Sequence, residues 1–321
     1  MSDGKNNTCF SASRKKVWVD TDITIGHLNG LKPCDVDDGY ALGLLFRSKE
    51  VEIVGLSSTL GNTDDIDVST HIAAQFVSKF GPARLAVSKG SDAFYEQAKD
   101  KALPKAVTDM AELLKQDTFS ILAIGALTNI ALLIKHYPEL IPNIEELVCV
   151  AGRGSKKQNF IASKRQPRPF RDLNFEAGEA AFRMLLSSNA NTTLIPFEVC
   201  DEIWVDFQEL KEMKHGSPLI AFLEKHSVIW AIEWAVLFGS KEGFIPFDMV
   251  AAAYMLNSGW FTTKSWRAQI QSGVSDTDKQ VNKNYLVCND KINKGKELRY
   301  ATSLASGTQS EIFKRLFMRG S

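Results

Sequence analysis

Between Val17 and Phe46 the chain reads VWVDTDITIGHLNGLKPCDVDDGYALGLLF, and five of these residues are aspartates: Asp20, Asp22, Asp35, Asp37 and Asp38. A β-rich run, Val17-Trp18-Val19, empties into the first two. The other three stand before an apolar helical pattern, Tyr40 to Phe46. Acids just beyond a strand and at the start of the next helix fall in the crevice where open α/β sheets bind ligands. One or two acids at a helix start do no more than complement its dipole. Five in one crevice repel each other, and some must take up protons unless a cation sits among them. The chemistry indicated is the holding of a hard cation.

The elements needed to position such a cluster are visible along the chain. Strand-like runs occur at Val51–Leu56, Phe119–Ile124, Glu146–Ala151 and Thr192–Pro196, with a short one at Arg84–Val87. Helical spacing occurs at 64–80, 107–115, 130–135, 176–187, 219–238 and 247–256, with a last helix at 310–318. The run FSILAI is apolar throughout, as a strand covered on both faces must be. Segments 89–105 and 158–171 read as irregular. This alternation specifies an α/β fold, Rossmann-like, with a largely parallel central sheet flanked by helices. A single domain over 1–321 is expected, with 1–16 and 319–321 outside its folded body.

Composition narrows the function. The 321 residues are 44% hydrophobic, enough for a full core, and 38 basic side chains balance 38 acidic ones. Bulk charge therefore draws neither nucleic acid nor a membrane surface. Cys9, Cys34, Cys149, Cys200 and Cys288 are scattered and odd in number, which fits reduced thiols and a cytoplasmic location. No secretory leader pattern and no apolar run long enough to span a bilayer is seen. Neither G-x-G-x-x-G nor a Walker-type loop follows the first strand, and an acidic crevice repels phosphate.

In order along the chain stand Asp20-Thr21-Asp22, Asp37-Asp38-Gly39-Tyr40-Ala41-Leu42, Gly61-Asn62, Gly125-Ala126-Leu127-Thr128-Asn129-Ile130-Ala131, Asp172-Leu173-Asn174 and Asp248-Met249-Val250-Ala251-Ala252-Ala253-Tyr254. As a set these pieces resemble the nucleoside hydrolase family, enzymes that cleave the N-glycosidic bond of ribonucleosides around one calcium ion and one ribose. The resemblance implies that Asp22, Asp38 and Asp248 bind Ca²⁺ through carboxylates and Ile124 through its backbone carbonyl. An all-oxygen set without His or Cys favours calcium over zinc. It further implies that Asp37, Asn62, Asp172, Asn174 and Asp248 contact the substrate's ribose side, that Asp22 doubles as the base activating water, and that the protein is a homo-oligomer, a dimer or tetramer. Asn62 and Asn174 would otherwise be turn residues.

The chain departs from the family pattern in places that bear on the leaving base. Fourteen residues, 23–36, separate Asp22 from Asp37 where the family has only a few, and Ile23 stands where proline is usual. Phe247 occupies the position at which many members carry an acid-bearing His, and the purine-preferring branch an aromatic. The segment Gly90–Ala106 lacks the usual His- and Gly-rich loop, and the stretch after Asn174 is one residue shorter. An N-glycosidic bond breaks through an oxocarbenium-like transition state, so the departing base needs an acid or an aromatic sandwich. Candidates are His27 in the inserted loop, Phe247, and Trp230 or Trp234, which share a helical spacing with His226 and Glu233. Each has a plainer reading: His27 as an exposed loop residue, the aromatics as core. A reading of another class stays open, a protein that binds a ribosyl ligand without cleaving it.

Overall fold

The computed structural model describes residues 14–317 apart from 215 and 240–242. Cys9, Met318, residues 319–321 and His215, which reads from sequence as a loop residue, lie outside the described residues.

Strands β1 (Lys15–Thr21), β2 (Leu28–Asn29), β3 (Lys32–Pro33), β4 (Val51–Ser58), β5 (Val87–Ser88), β6 (Phe119–Ala123), β7 (Ile144–Val150), β8 (Thr192–Ile195), β9 (Phe261–Val274), β10 (Asn282–Asn289) and β11 (Lys296–Leu304) form two sheets. The large one has the order β10-β9-β11-β8-β7-β6-β1-β4-β5. From β5 to β11 neighbouring strands run parallel; β9 pairs antiparallel with β11 and with β10. The expectation of a largely parallel sheet flanked by helices holds. β1 lies between β4 and β6, so the chain leaves it toward one side first and crosses to the other later. Such a reversal opens a crevice beyond the carboxyl ends of the strands.

Alternation along the strands divides the core. Val17 and Val19 of β1 face a layer built from α1 (Asp37–Phe46), α2 (Ile66–Phe80) and others, whereas Trp18 faces a second layer. That second layer contains α3 (Tyr95–Ala98), α4 (Lys105–Leu114) and α5 (Thr128–His136). Further along come α6 (Leu173–Ala177), α7 (Glu179–Ser187), α8 (Phe197–Cys200), α9 (Phe207–Met213), α10 (Pro218–Phe238), α11 (Phe247–Leu256) and α12 (Thr308–Phe317). Helices α1 and α11 pack on each other and are buried almost all round, which their apolar composition requires. Leu42 in α1 is wholly buried; its truncation to Ala costs about 2–5 kcal/mol.

The structure corrects several local expectations. Lys15 and Lys16 open β1 instead of lying outside the fold. The short strand expected at Arg84–Val87 is Val87–Ser88, because Arg84 sits in a turn at φ +75°. The segment read as irregular before α4 holds the helical turn α3. The insertion after Asp22 folds into the small hairpin β2–β3, closed by the Cys34 amide donating to the His27 carbonyl at 3.1 Å.

Candidate active site

The carboxyl ends of five parallel strands converge on one cavity. Asp22 follows β1, Asn62 follows β4, Ile124 follows β6, Ala151 and Gly152 follow β7, and Phe197 follows β8. The cavity measures about 390 Å³ and has an acidic end and an aromatic end.

At the acidic end two helix starts meet. Asp37 begins α1, and its two oxygens accept from the Asp38 amide at 3.1 Å and from the Asp248 amide at 3.4 Å. It thereby ties the first turn of α1 to the first turn of α11, where the unpaired amides and the helix dipoles favour negative charge. Asp37, Asp38 and Asp248 each bring one oxygen within 4.8 Å of the others. Asp22 approaches from β1 and is held by the Asn62 amide, which donates to its Oδ2 at 2.7 Å. The Asn62 side chain donates to Asp38 at 3.3 Å, and the Thr21 hydroxyl donates to the same carboxylate. Two glycines make room for Asp22. A Cβ on Gly61 would lie 1.9 Å from its Oδ2, and one on Gly125 would lie 2.9 Å from its Oδ1.

Burial and mutual repulsion dominate the electrostatics. Burial first, and then the neighbouring acids, hold the carboxyls of Asp38 and Asp248 well above the ordinary range. Asp22 is raised in the same way, by burial against the pull of the Asn62 amide, with Asp37 and Asp35 adding to the rise. Asp37 is pushed to about 6 by burial and by Asp38. Four acids crowded out of water in this way fit a divalent cation: every donor is oxygen, and the charge they carry needs a partner. Ile124 lines the same cavity, and its carbonyl accepts from the Asn174 side chain at 3.2 Å, which also reaches the Val150 carbonyl. Asp172 accepts from the Gly152 amide at 2.9 Å, and burial raises its carboxyl to about 6 against the pull of Arg153.

At the other end Trp230, Trp234 and Phe247 line the cavity together, as the aromatic candidates of the sequence. Phe247 is half-buried and meets Phe170 edge to face at 6.3 Å and Trp234 at 6.4 Å. Sequence reasoning missed Phe160, Phe170, Phe197 and Phe238, which share the wall. Phe238 had a signal, since it continues the four-residue spacing of Trp230 and Trp234. Phe197 had one too, directly after a strand end. Phe160 and Phe170 lie in the segment 158–171, read as irregular, and nothing in their surroundings marked them. Asp35, noted in the acidic run without an assigned role, also lines the cavity.

Two expectations fail on geometry. Asp20 belongs to the acidic run but not to the crevice. Its Oδ1 accepts from Ser57 at 2.5 Å and Asn129 at 2.8 Å, inside the sheet, and burial raises its carboxyl to about 7. His27 is not on the cavity rim. It lines a separate hollow with His71 and His226, where the His226 ring packs on Gly26. The insertion returns to the cavity only at Asp35. His226, one four-residue step before Trp230 on α10, lines that second hollow and not the cavity.

Similarity to known proteins agrees with this arrangement. The family model for inosine-uridine preferring nucleoside hydrolases matches residues 17–305. Uridine nucleosidase 1 of Arabidopsis thaliana is 24% identical over 294 residues, covering 84% of this chain and 82% of its own. A plant nucleoside hydrolase superposes with a TM-score of 0.78 at 14% identity, over 96% of this chain and 100% of its own. The purine-preferring ribonucleoside hydrolase from Gardnerella vaginalis does so with a TM-score of 0.71 at 18% identity, over 94% and 98%. No helix among the described residues is long and apolar enough to cross a membrane. With the motif pieces gathered at one crevice and the family model spanning nearly the whole chain, the protein belongs to the inosine-uridine preferring nucleoside hydrolases, N-ribohydrolases that hydrolyse the N-glycosidic bond of nucleosides.

Proposed function

We propose that the protein is a calcium-dependent nucleoside hydrolase that prefers purine nucleosides. The observation that supports this most is the joining, in one cavity, of the buried acids Asp22, Asp37 and Asp248, with Asp38 clustered against Asp37 and Asp248, and a wall of aromatic rings. Asp22, Asp38 and Asp248 would hold the cation through carboxylates and Ile124 through its carbonyl. Asp37 braces them, since both of its oxygens already accept backbone amides. A calcium ion takes about 6–8 oxygens, so this set leaves positions for water and sugar hydroxyls. When bound, the ion supplies positive charge that makes a neighbouring water more acidic.

The chain's own groups do the rest. Asp22 takes the proton from the attacking water as general base. Asp37, Asn62, Asp172 and Asn174 orient the ribose hydroxyls, and the remaining negative charge stabilises the oxocarbenium-like sugar. Phe247, Trp230 and Trp234 receive the base, for which stacking is worth about 1–3 kcal/mol. Retention of an acid at Asp22 favours turnover over mere ribosyl binding, because a binder needs sugar contacts but no base. Ribose release from inosine, adenosine and uridine, with calcium and with chelator, tests all of this. Calcium-dependent release, fastest from the purines, is expected; release that ignores chelation, or uridine cleaved as fast as inosine, would refute the corresponding part.

A further inference from the structure

Asp172 is gripped at both ends. Its carboxylate accepts from the Gly152 amide at 2.9 Å, and its own amide donates to Glu176 of α6 at 3.3 Å. Next to Gly152 stands Arg153, a charged residue that is wholly buried and does not line the cavity. β10 is the far edge strand of the large sheet, yet Arg153, just beyond β7, pairs with it. The Arg153 amide donates to the Leu286 carbonyl at 3.0 Å, and its carbonyl accepts from the Cys288 amide at 2.9 Å. The antiparallel end of the sheet thereby meets the loop that follows β7.

The Arg153 guanidinium donates to Asp276, in the turn between β9 and β10, at 3.0 Å and to the Gln158 carbonyl at 2.9 Å. Its central carbon lies 4.0 Å from the Phe160 ring centre and 4.7 Å from that of Tyr285. From Asp276, alternating charges lead back to the site. Lys283 of β10 pairs with Asp276 at 2.6 Å and with Glu176 at 2.7 Å, and Glu176 is the acceptor for the Asp172 amide. A buried ion pair is weak evidence of stability, since apolar residues of the same volume often do as well or better. This one also leaves Nε and Nη2 of Arg153 without a hydrogen-bond partner among the described residues, a further cost. What the path does achieve is placement. It begins beside Gly152, which holds the Asp172 carboxylate, and ends on Glu176, which holds the Asp172 amide.

On this geometry we propose that Arg153, with Asp276 and Lys283, is a positioning residue for the reaction: it fixes Asp172 against the ribose and makes the turn between β9 and β10 part of the sugar pocket's support. The inference rests on the reading in which Asp172 orients a ribose hydroxyl, and adds the residues that hold it there. A group that must meet a sugar hydroxyl has to be kept within about 0.5 Å of its working position, which needs support from residues that touch no substrate. Burial raises the Asp172 carboxyl, and the Arg153 charge opposes it, favouring the ionised form that accepts from hydroxyls.

Steady-state kinetics on the calcium-supplied full chain test this, with whichever of inosine, adenosine and uridine is cleaved fastest. Arg153→Met keeps bulk against Phe160 and Tyr285 but removes the charge. A grip on ribose made in the ground and transition states alike raises KM when lost and spares kcat. The expected result is a KM about tenfold higher, the worth of one charge-assisted hydrogen bond, with kcat within about threefold. Lys283→Met, at a partly exposed side chain, should move KM the same way by about threefold, and it carries the test alone should Arg153→Met not fold. The deciding measurement is a double-mutant cycle on kcat/KM. In an Asp172→Ala background either substitution should add less than about twofold, because the group it positions is gone. A full penalty in that background, or an unchanged KM where Asp172 is present, would overturn the inference while leaving the hydrolase reading intact. A wild-type chain that cleaves no nucleoside would remove both.

Discussion

Asp22 depends on what its neighbours lack. Gly61 and Gly125 leave the space that its carboxylate fills, and a methyl group on Gly61 would stand 1.9 Å from Oδ2. Gly61→Ala must therefore push either the acid or the loop after β4 aside. A displacement of about 1 Å at a reacting group costs on the order of 10²-fold in rate. The expected result is a kcat lower by that order with a circular dichroism spectrum unchanged; full activity would mean that Asp22 need not sit where it does. Asp38→Asn is the companion test. It keeps the shape and the Thr21 contact but removes a charge, so it should abolish calcium-induced thermal stabilisation, read as a lost shift in Tm. At the aromatic end, Phe247→Ala should raise KM for purine nucleosides about tenfold, within the range of stacking energies, and change uridine less.

The elements show which parts of the site could be read from the chain and which could not. Strand ends were legible, because an apolar run that stops at polar or glycine residues marks both the strand and the loop at its carboxyl end. Asp22 stood out in that way, whereas Asn62, Ile124 and Asp248 at the start of α11 were placed only by the resemblance. The inserted segment 23–36 was legible only as an insertion. Its length demanded a departure from the site and a return, but not which residue would face the cavity. The hairpin β2–β3 turns His27 toward α2 and α10 and delivers Asp35 instead. His27→Ala should therefore leave kcat for inosine within about twofold, where loss of a general acid would cost ~10²–10⁴-fold. A loss of that larger size would return His27 to the chemistry. The aromatic wall was legible on α10, whose spacing is regular, and hidden in 158–171, where Phe160 and Phe170 follow no period. Asp20 misled for a different reason. A short strand end supplies acids to both sides of the sheet edge, and only the partner residues Ser57 and Asn129 decide which side is taken.

For the whole molecule, the acidic end is a liability that a cation removes, and pH should reveal the balance. Without an ion, burial and repulsion hold the Asp22, Asp38 and Asp248 carboxyls well above their ordinary range, and burial holds those of Asp37 and Asp172 near 6. A carboxyl whose folded pKa is raised gives stability that is complete below its unfolded value, about 3.9, and is lost as pH rises through the folded value. The window here opens near pH 4, passes the Asp37 and Asp172 values near 6 and continues above them. Chelated protein should therefore melt at progressively lower temperature from pH 5 to pH 8. Calcium binds the ionised carboxylates and must displace the protons they hold, so its grip tightens over the same interval. At a hundredfold excess over Kd a ligand adds about 2.7 kcal/mol to the native state, on the order of 4 °C in Tm for a chain of this size. The gap in Tm between calcium-loaded and chelated protein should thus be small at pH 5 and widen steadily to pH 8. A gap that stayed constant would mean the ion binds somewhere other than these buried acids, because only a site that must lose protons couples calcium to pH in this direction.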